Sequence, residues 1–166
     1  MNRAPPIIAL RSTRITTRTP DRTMTFVSIT RLRLRSVRFL PSFMIYALKS
    51  VRQCKHTPGF QGGSLLPDRK LTFWTMTLWR DQSAMRAYMT TGAHLTAMSK
   101  LLDWCDEASI VHWMQDNAAQ PNWHEADRRM RTEGRPSKLR NPGPNHATLG
   151  FAPPRPTRAV ALMPRA

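Results

Sequence analysis

The sequence predicts an α+β fold of the ferredoxin-like kind, a β-α-β-β-α-β unit over residues 24–115 of a 166-residue chain. Three observations predict it. Thr25–Leu34 (TFVSITRLRL) alternates with period two, as a strand does. Leu71–Trp79 (LTFWTMTLW) alternates aromatic and apolar residues with threonine, which suits a central strand. Each of these runs leads into a stretch whose apolar residues recur at helical spacing. The resulting order is the split βαβ arrangement, with both helices on one side of a four-stranded antiparallel sheet. Its other face would be bare, and a bare sheet face calls for a partner.

The elements follow in order. In the first strand, Phe26, Ser28, Thr30, Leu32 and Leu34 share one face; Val27, Ile29, Arg31 and Arg33 share the other, read as half-exposed. Ser36 can cap a helix in which Phe39, Leu40, Phe43, Ala47 and Val51 form the apolar stripe, with Pro41 tolerated only in the early turns. Gln53–Gly63 reads as a loop leading into a short strand near Gly63–Leu66, and Pro67-Asp68 as a turn. Asp81 is a good N-cap for the next helix, which Gly92 interrupts. A second helical stretch runs from Ala93 to about Asp106, and Ala108–Gln115 is the last strand.

Residues 116–166 hold eight of the fourteen prolines. Within them Asn122–Glu133 reads as one short helix, capped by Asn122, ended by Gly134 and pinned to the domain by Trp123, Ala126 and Met130. The Pro-rich remainder is expected to run extended along the surface or to be disordered. Residues 1–23 read as a disordered or over-extended N-terminal stretch, with Met24 as the natural start of the folded part.

The formal net charge is +16. It is spread as +4, +7 and +5 over residues 1–23, 24–115 and 116–166, without the dense stripe that phosphate tracking needs. Two cysteines, Cys54 and Cys105, build no disulfide framework and point to a reducing cytoplasm. No apolar run reaches the roughly 18–20 residues of a membrane span. Cys54-x-His56 lacks the paired spacing of a zinc site, the glycines at 59, 62 and 63 lack the Lys-Ser/Thr of a phosphate loop, and no nucleophile elbow is present.

The chemical interest centres on His94. On a helical wheel it shares one side with Met98, Leu101 and Cys105, while Thr96, Ser99, Lys100 and Asp103 lie opposite. A titratable ring on an apolar stripe is either a satisfied core histidine or a ligand contact.

The run WTMTLWRDQSAMRAYMTTGAHLTAM resembles the third-strand-to-second-helix region of the antibiotic-biosynthesis-monooxygenase superfamily. With LLDWCDEASIVHW and WHEADRRMRTEGRPSKL, the pattern is similar to bacterial spheroidene-monooxygenase-like proteins over roughly Met24–Leu139. The resemblance implies a dimeric α+β barrel, two sheets packed face to face, with a pocket between each sheet and its helices. It implies haem ligation by His94 if the chain follows the haem-degrading branch, though the complete Asn/Trp/His set of that branch is missing. In the cofactor-free branch, a reduced aromatic substrate activates oxygen itself.

The expected protein is therefore a cytoplasmic homodimer, a monooxygenase-like oxidoreductase acting on a hydrophobic small molecule. His94 is its catalytic or cofactor-binding residue, and Trp74, Trp79, Met98 and His112 line its pocket. A non-catalytic ligand-binding or structural dimer is the alternative. A nucleic-acid-binding protein using the Arg-rich ends and an outward Arg31 and Arg33 is the third reading.

Overall fold

The structure, a computed structural model, describes residues 24–165. The expected N-terminal stretch, residues 1–23, lies outside the described residues. Six strands and four helices follow in the order β1 (Thr25–Leu34), α1 (Leu40–His56), β2 (Phe60–Asp68), β3 (Thr72–Trp79), α2 (Gln82–Met89), α3 (Gly92–Trp104), β4 (Cys105–Gln115), α4 (Trp123–Thr132), β5 (Arg135–Pro136) and β6 (Val160–Leu162). The strands form one antiparallel sheet ordered β5-β4-β1-β3-β2-β6. Its inner four strands are the ferredoxin-like unit.

Local chemistry explains the boundaries. Ser36 opens a short 3-10 turn at Val37–Phe39 instead of capping the long helix, and Pro41 sits in the first turn of α1, where a missing N–H costs nothing. The Asp81 carboxylate accepts the Ala84 amide at 2.8 Å, and Asn122 Oδ1 accepts that of Glu125 at 2.8 Å. β2 is longer than expected at both ends, taking in Phe60 and Pro67-Asp68. A bulge at Phe60/Gly62 precedes Gly63, where a Cβ would stand 2.1 Å from the Met76 carbonyl oxygen across the ladder. α3 ends at Trp104, so Cys105 opens β4 and does not extend the helical stripe of His94.

Alternation sorts the core onto two faces. On the helix face, Phe26, Phe60 and Trp79 pack with Cys54, Ala84 and Met85 at one end, and Leu32, Leu34 and Ala108 pack with Phe43 at the other. The opposite face carries Val27, Ile29, Leu66, Trp74, Met76, Val111 and Trp113. That face is not bare. Trp123, Ala126 and Met130 of α4 pack on it, with Phe151 from the C-terminal segment beside them. The need for a partner read from the four-stranded unit is therefore met within the chain.

The Pro-rich segment runs mostly exposed along the surface, the first of the two expectations for it, and two short strands tie it to the sheet. β5 and β6 extend the two edges, and His146 is buried with Nε2 2.8 Å from the Ser137 carbonyl and Nδ1 3.4 Å from the Ala108 amide. Phe151 stands edge-on to Trp74 at 5.6 Å.

Candidate functional site

His94 lies in the first turn of α3, half-buried, beside a break between α2 and α3 that Gln53 of α1 holds together. A helix end leaves carbonyls without partners and a helix start leaves amides. The Gln53 side chain answers both: Nε2 donates to the carbonyls of Tyr88 (3.1 Å) and Thr91 (3.0 Å), and Oε1 accepts the His94 backbone amide at 3.0 Å. Gly92 makes the close approach feasible, with φ at +57° and a would-be Cβ 2.8 Å from Gln53 Oε1. Gln53→Ala strands all three groups and is expected to cost about 1–3 kcal/mol in urea unfolding; an unchanged midpoint would refute this role for the amide.

The His94 ring points back to the same break. Its Nδ1 stands 3.4 Å from the Met89 carbonyl, and its ring centre lies 4.4 Å from that of Tyr88, tilted by 46°. Tyr88 in turn stacks on Trp79 at 5.3 Å, and its hydroxyl donates to the Ser50 carbonyl at 3.3 Å. The structure thus brings His94 and Trp79 together through Tyr88, a residue the sequence reading passed over. Its ring on an apolar helical face was the available signal.

Trp74 is elsewhere. Five residues separate it from Trp79, an odd step along a strand, so the two indoles point to opposite faces. Trp74 is buried under α4, edge-on to Trp123 at 6.4 Å. The haem slot implied by the resemblance, with Trp74 as one wall and His94 as ligand, does not fit these surroundings. The supposed wall is across the sheet, whereas the Nδ1 contact with the Met89 carbonyl leaves Nε2, the usual ligating nitrogen, uncommitted. Met98 lies half-buried one turn along α3 from His94.

His112 faces the helices from β4, its ring 5.4 Å from that of Phe26. It stands at the edge of a strip of the helix face that neither apolar cluster seals. Thr30 pairs with Thr75 on one side and with Ile110 on the other, and all three are half-buried although they lie on the sheet's inner strands. In the next row Ser28 lies between Thr77 and His112, with the Thr77 hydroxyl donating to the Ser28 carbonyl at 3.4 Å. A half-exposed polar strip with apolar ends sets hydrogen-bonding groups beside apolar surface, the combination that an amphipathic small molecule uses.

Burial holds both imidazoles below their ordinary range, with the Met89 carbonyl working against it at His94 and the Arg135 charge adding to it at His112. The sign for stability follows. Below the ordinary value of 6.5 the unfolded chain takes up protons that the folded chain resists. Stability from these groups is complete above that pH and falls as the pH drops toward the folded values. Urea midpoints measured from pH 7.5 down to 5 should fall, and the fall should shrink in His94→Gln; an equal slope in both proteins would contradict the assignment.

Neither cysteine offers nucleophilic chemistry. Both are free and buried, and burial pushes each thiol up to about 12. Among the described residues no cluster of three or more His, Cys, Asp or Glu side chains could hold a metal ion, and no helix is long and apolar enough to cross a membrane.

The other sheet face carries a second polar feature. Arg31 is only 5 % exposed, far from the outward placement expected of it. Its Nη1 lies 2.6 Å from buried Glu107, whose other oxygen is 2.7 Å from Arg33 Nη1; Arg33 also makes a two-pronged contact with Asp106 at 2.8 and 2.9 Å. Burial lowers the Arg31 guanidinium from its usual value against the pull of Glu107. Phe151 lies 4.0 Å over it. Arg31 is therefore not the outward residue expected of it, and both arginines are engaged in ion pairs.

The model of one family, a domain of unknown function, DUF3291, matches residues 49–162, from the second half of α1 to the end of β6. The chain belongs to the DUF3291 family. The match takes in α4 and the Pro-rich segment as well as most of the ferredoxin-like unit, in keeping with their shared sheet and core. No curated protein matches this DUF3291 chain. Among solved structures, PA3566 from Pseudomonas aeruginosa is similar at 14% identity and a TM-score of 0.50, covering 57% of this chain and 96% of that one. SnoaB, a cofactor-independent oxygenase from Streptomyces nogalater, is similar at 16% identity and 0.44, over 56% and 92% of the two chains. NE2512, a protein of unknown function from Nitrosomonas europaea, is similar at 15% and 0.49, over 61% and 98%. At such identities the likeness is one of fold. The ferredoxin-like α+β fold read from the sequence is present, and it carries no reaction with it.

Proposed function

We propose that this DUF3291 protein is a monooxygenase-like oxidoreductase that takes a hydrophobic small molecule into the cleft between sheet and helices. One observation carries the reading: Thr30, Thr75, Ile110 and His112 stay half-open on the inner strands of the helix face, between two sealed apolar clusters. Threonine hydroxyls and an imidazole over an otherwise apolar floor can orient a phenol-like group by hydrogen bonding while its rings are buried. His112, held neutral by burial, is the base within the strip. His94 supports the cleft from the α2–α3 break. Cytoplasmic placement accompanies this proposal, and any homodimer is proposed to form on surfaces other than the face covered by α4.

A second reading has its own support. The engagement of His94 with the Met89 carbonyl favours a protein that binds such a molecule without transforming it.

Oxygen uptake with dithranol, a reduced tricyclic phenol, separates the readings. The oxidoreductase should consume oxygen above the blank, and Thr75→Phe, which fills the strip, should lower the rate at least tenfold without moving the thermal midpoint. Binding without uptake would leave the second reading. No binding at all would sink both.

A further inference from the structure

We propose that a cationic pocket on the other sheet face, beside Arg31, binds a small polyvalent oxyanion, a molecule bearing phosphate or carboxylate groups. The pocket lies between the β2–β3 turn and the C-terminal segment at Gly150–Ala152, and its volume is about 220 Å³. That is below the roughly 300–1,000 Å³ of drug-sized sites, so the ligand is small.

Its charge is unbalanced. Arg31, Arg33, Arg69 and Lys70 line it against only Asp68 and Glu107. Both acids are already engaged: Glu107 with Arg31 and Arg33, and Asp68 with Arg155 at 3.2 Å and the Arg69 amide at 2.8 Å. Arg69 and Lys70 make no ion pair among the described residues; Arg69 only donates to the Pro153 carbonyl at 3.2 Å. Two cations at the rim are thus uncompensated.

The buried side of the pocket carries an independent sign. Arg31 is 95 % buried, and among the described residues its Nε–H has no acceptor. The Arg31 charge lies in the wall of the pocket, where its buried surroundings leave its pull on a bound oxyanion weakly screened. Thr72 and Asn145 line the same space, and a hydroxyl and an amide are donors of the kind such oxygens accept from. Because the pocket and the helix-side cleft lie on opposite sheet faces, neither assignment depends on the other.

The test is calorimetric titration of the full chain with pyrophosphate and, separately, with citrate at fixed ionic strength. Saturable one-site binding of at least one is expected, and the one that binds distinguishes a phosphate from a carboxylate ligand. The double variant Arg69→Ala, Lys70→Gly should weaken it at least tenfold. Lys70 has φ at +54°, so glycine there relieves backbone strain and the fold is retained. Arg86→Ala, an exposed cation on α2, should change affinity less than twofold. Absence of saturable binding by both anions, or equal losses in the Arg86 and rim variants, would overturn the proposal, the latter by showing a generic response to positive charge.

Discussion

Glu107→Ala is expected to be among the most damaging single substitutions in this protein, costing about 3–5 kcal/mol of stability. The carboxylate sits within 2.6 Å of Arg31 and 2.7 Å of Arg33, and both Arg31 and Glu107 are 5 % exposed. Removing the acid leaves a guanidinium buried between Trp74 and Phe151 without its ion-pair partner. The desolvation already imposed on Arg31 then goes uncompensated. For a domain of this size the thermal midpoint should fall by roughly 10 °C. The double variant Arg31→Met, Glu107→Leu should recover most of that loss, because the most buried charge goes with its partner and Arg33 keeps Asp106. Urea unfolding of the two variants against wild type checks both statements. A loss below about 1 kcal/mol in Glu107→Ala would mean that the pair is effectively solvated.

Trp123→Ala should cost a comparable amount, about 3–5 kcal/mol. Trp123 is the first residue of α4, 7 % exposed, and it covers the sheet through its edge-on contact with Trp74. Its loss should uncover the apolar face formed by Trp74, Met76, Val111 and Trp113. Two observables beyond stability follow: a red-shifted tryptophan emission, and sedimentation at larger mass than wild type as uncovered faces associate. Unchanged emission and sedimentation would contradict the view that α4 replaces a partner on this face.

Much of the fold was legible because it is written in short-range pattern. The period-two run Thr25–Leu34 became β1 with both bounds intact, and Asp81 and Asn122 cap the helices their side chains suit. What was not legible depends on residues far apart in the chain. Arg31 reads as outward until β4 brings Glu107 beside it. The Pro-rich segment reads as a tail because its anchors, His146, Phe151 and Leu162, are single residues that show no periodicity. β2 begins early because Phe60 has Trp79 to pack against, at 5.3 Å, beyond what its glycine-rich neighbourhood suggests.

The site divided in the same way. The grouping of His94 with Trp79 follows from one helix lying over one strand, and it is present. The inclusion of Trp74 ignored the parity of a strand, which sends it to the α4 face. Tyr88 and Gln53 went unnoticed because their importance lies in what they bridge: Tyr88 links Trp79 to His94, and Gln53 links two helix ends.

The central claim, that the half-open strip under the helices receives a hydrophobic molecule, is tested most directly by amide chemical-shift mapping of the full chain during titration with dithranol. The largest shifts should fall at Thr30, Thr75, Ile110 and His112, with little change at Trp123 and Phe151 across the sheet. Shifts confined to the α4 face, or none at saturating ligand, would contradict it.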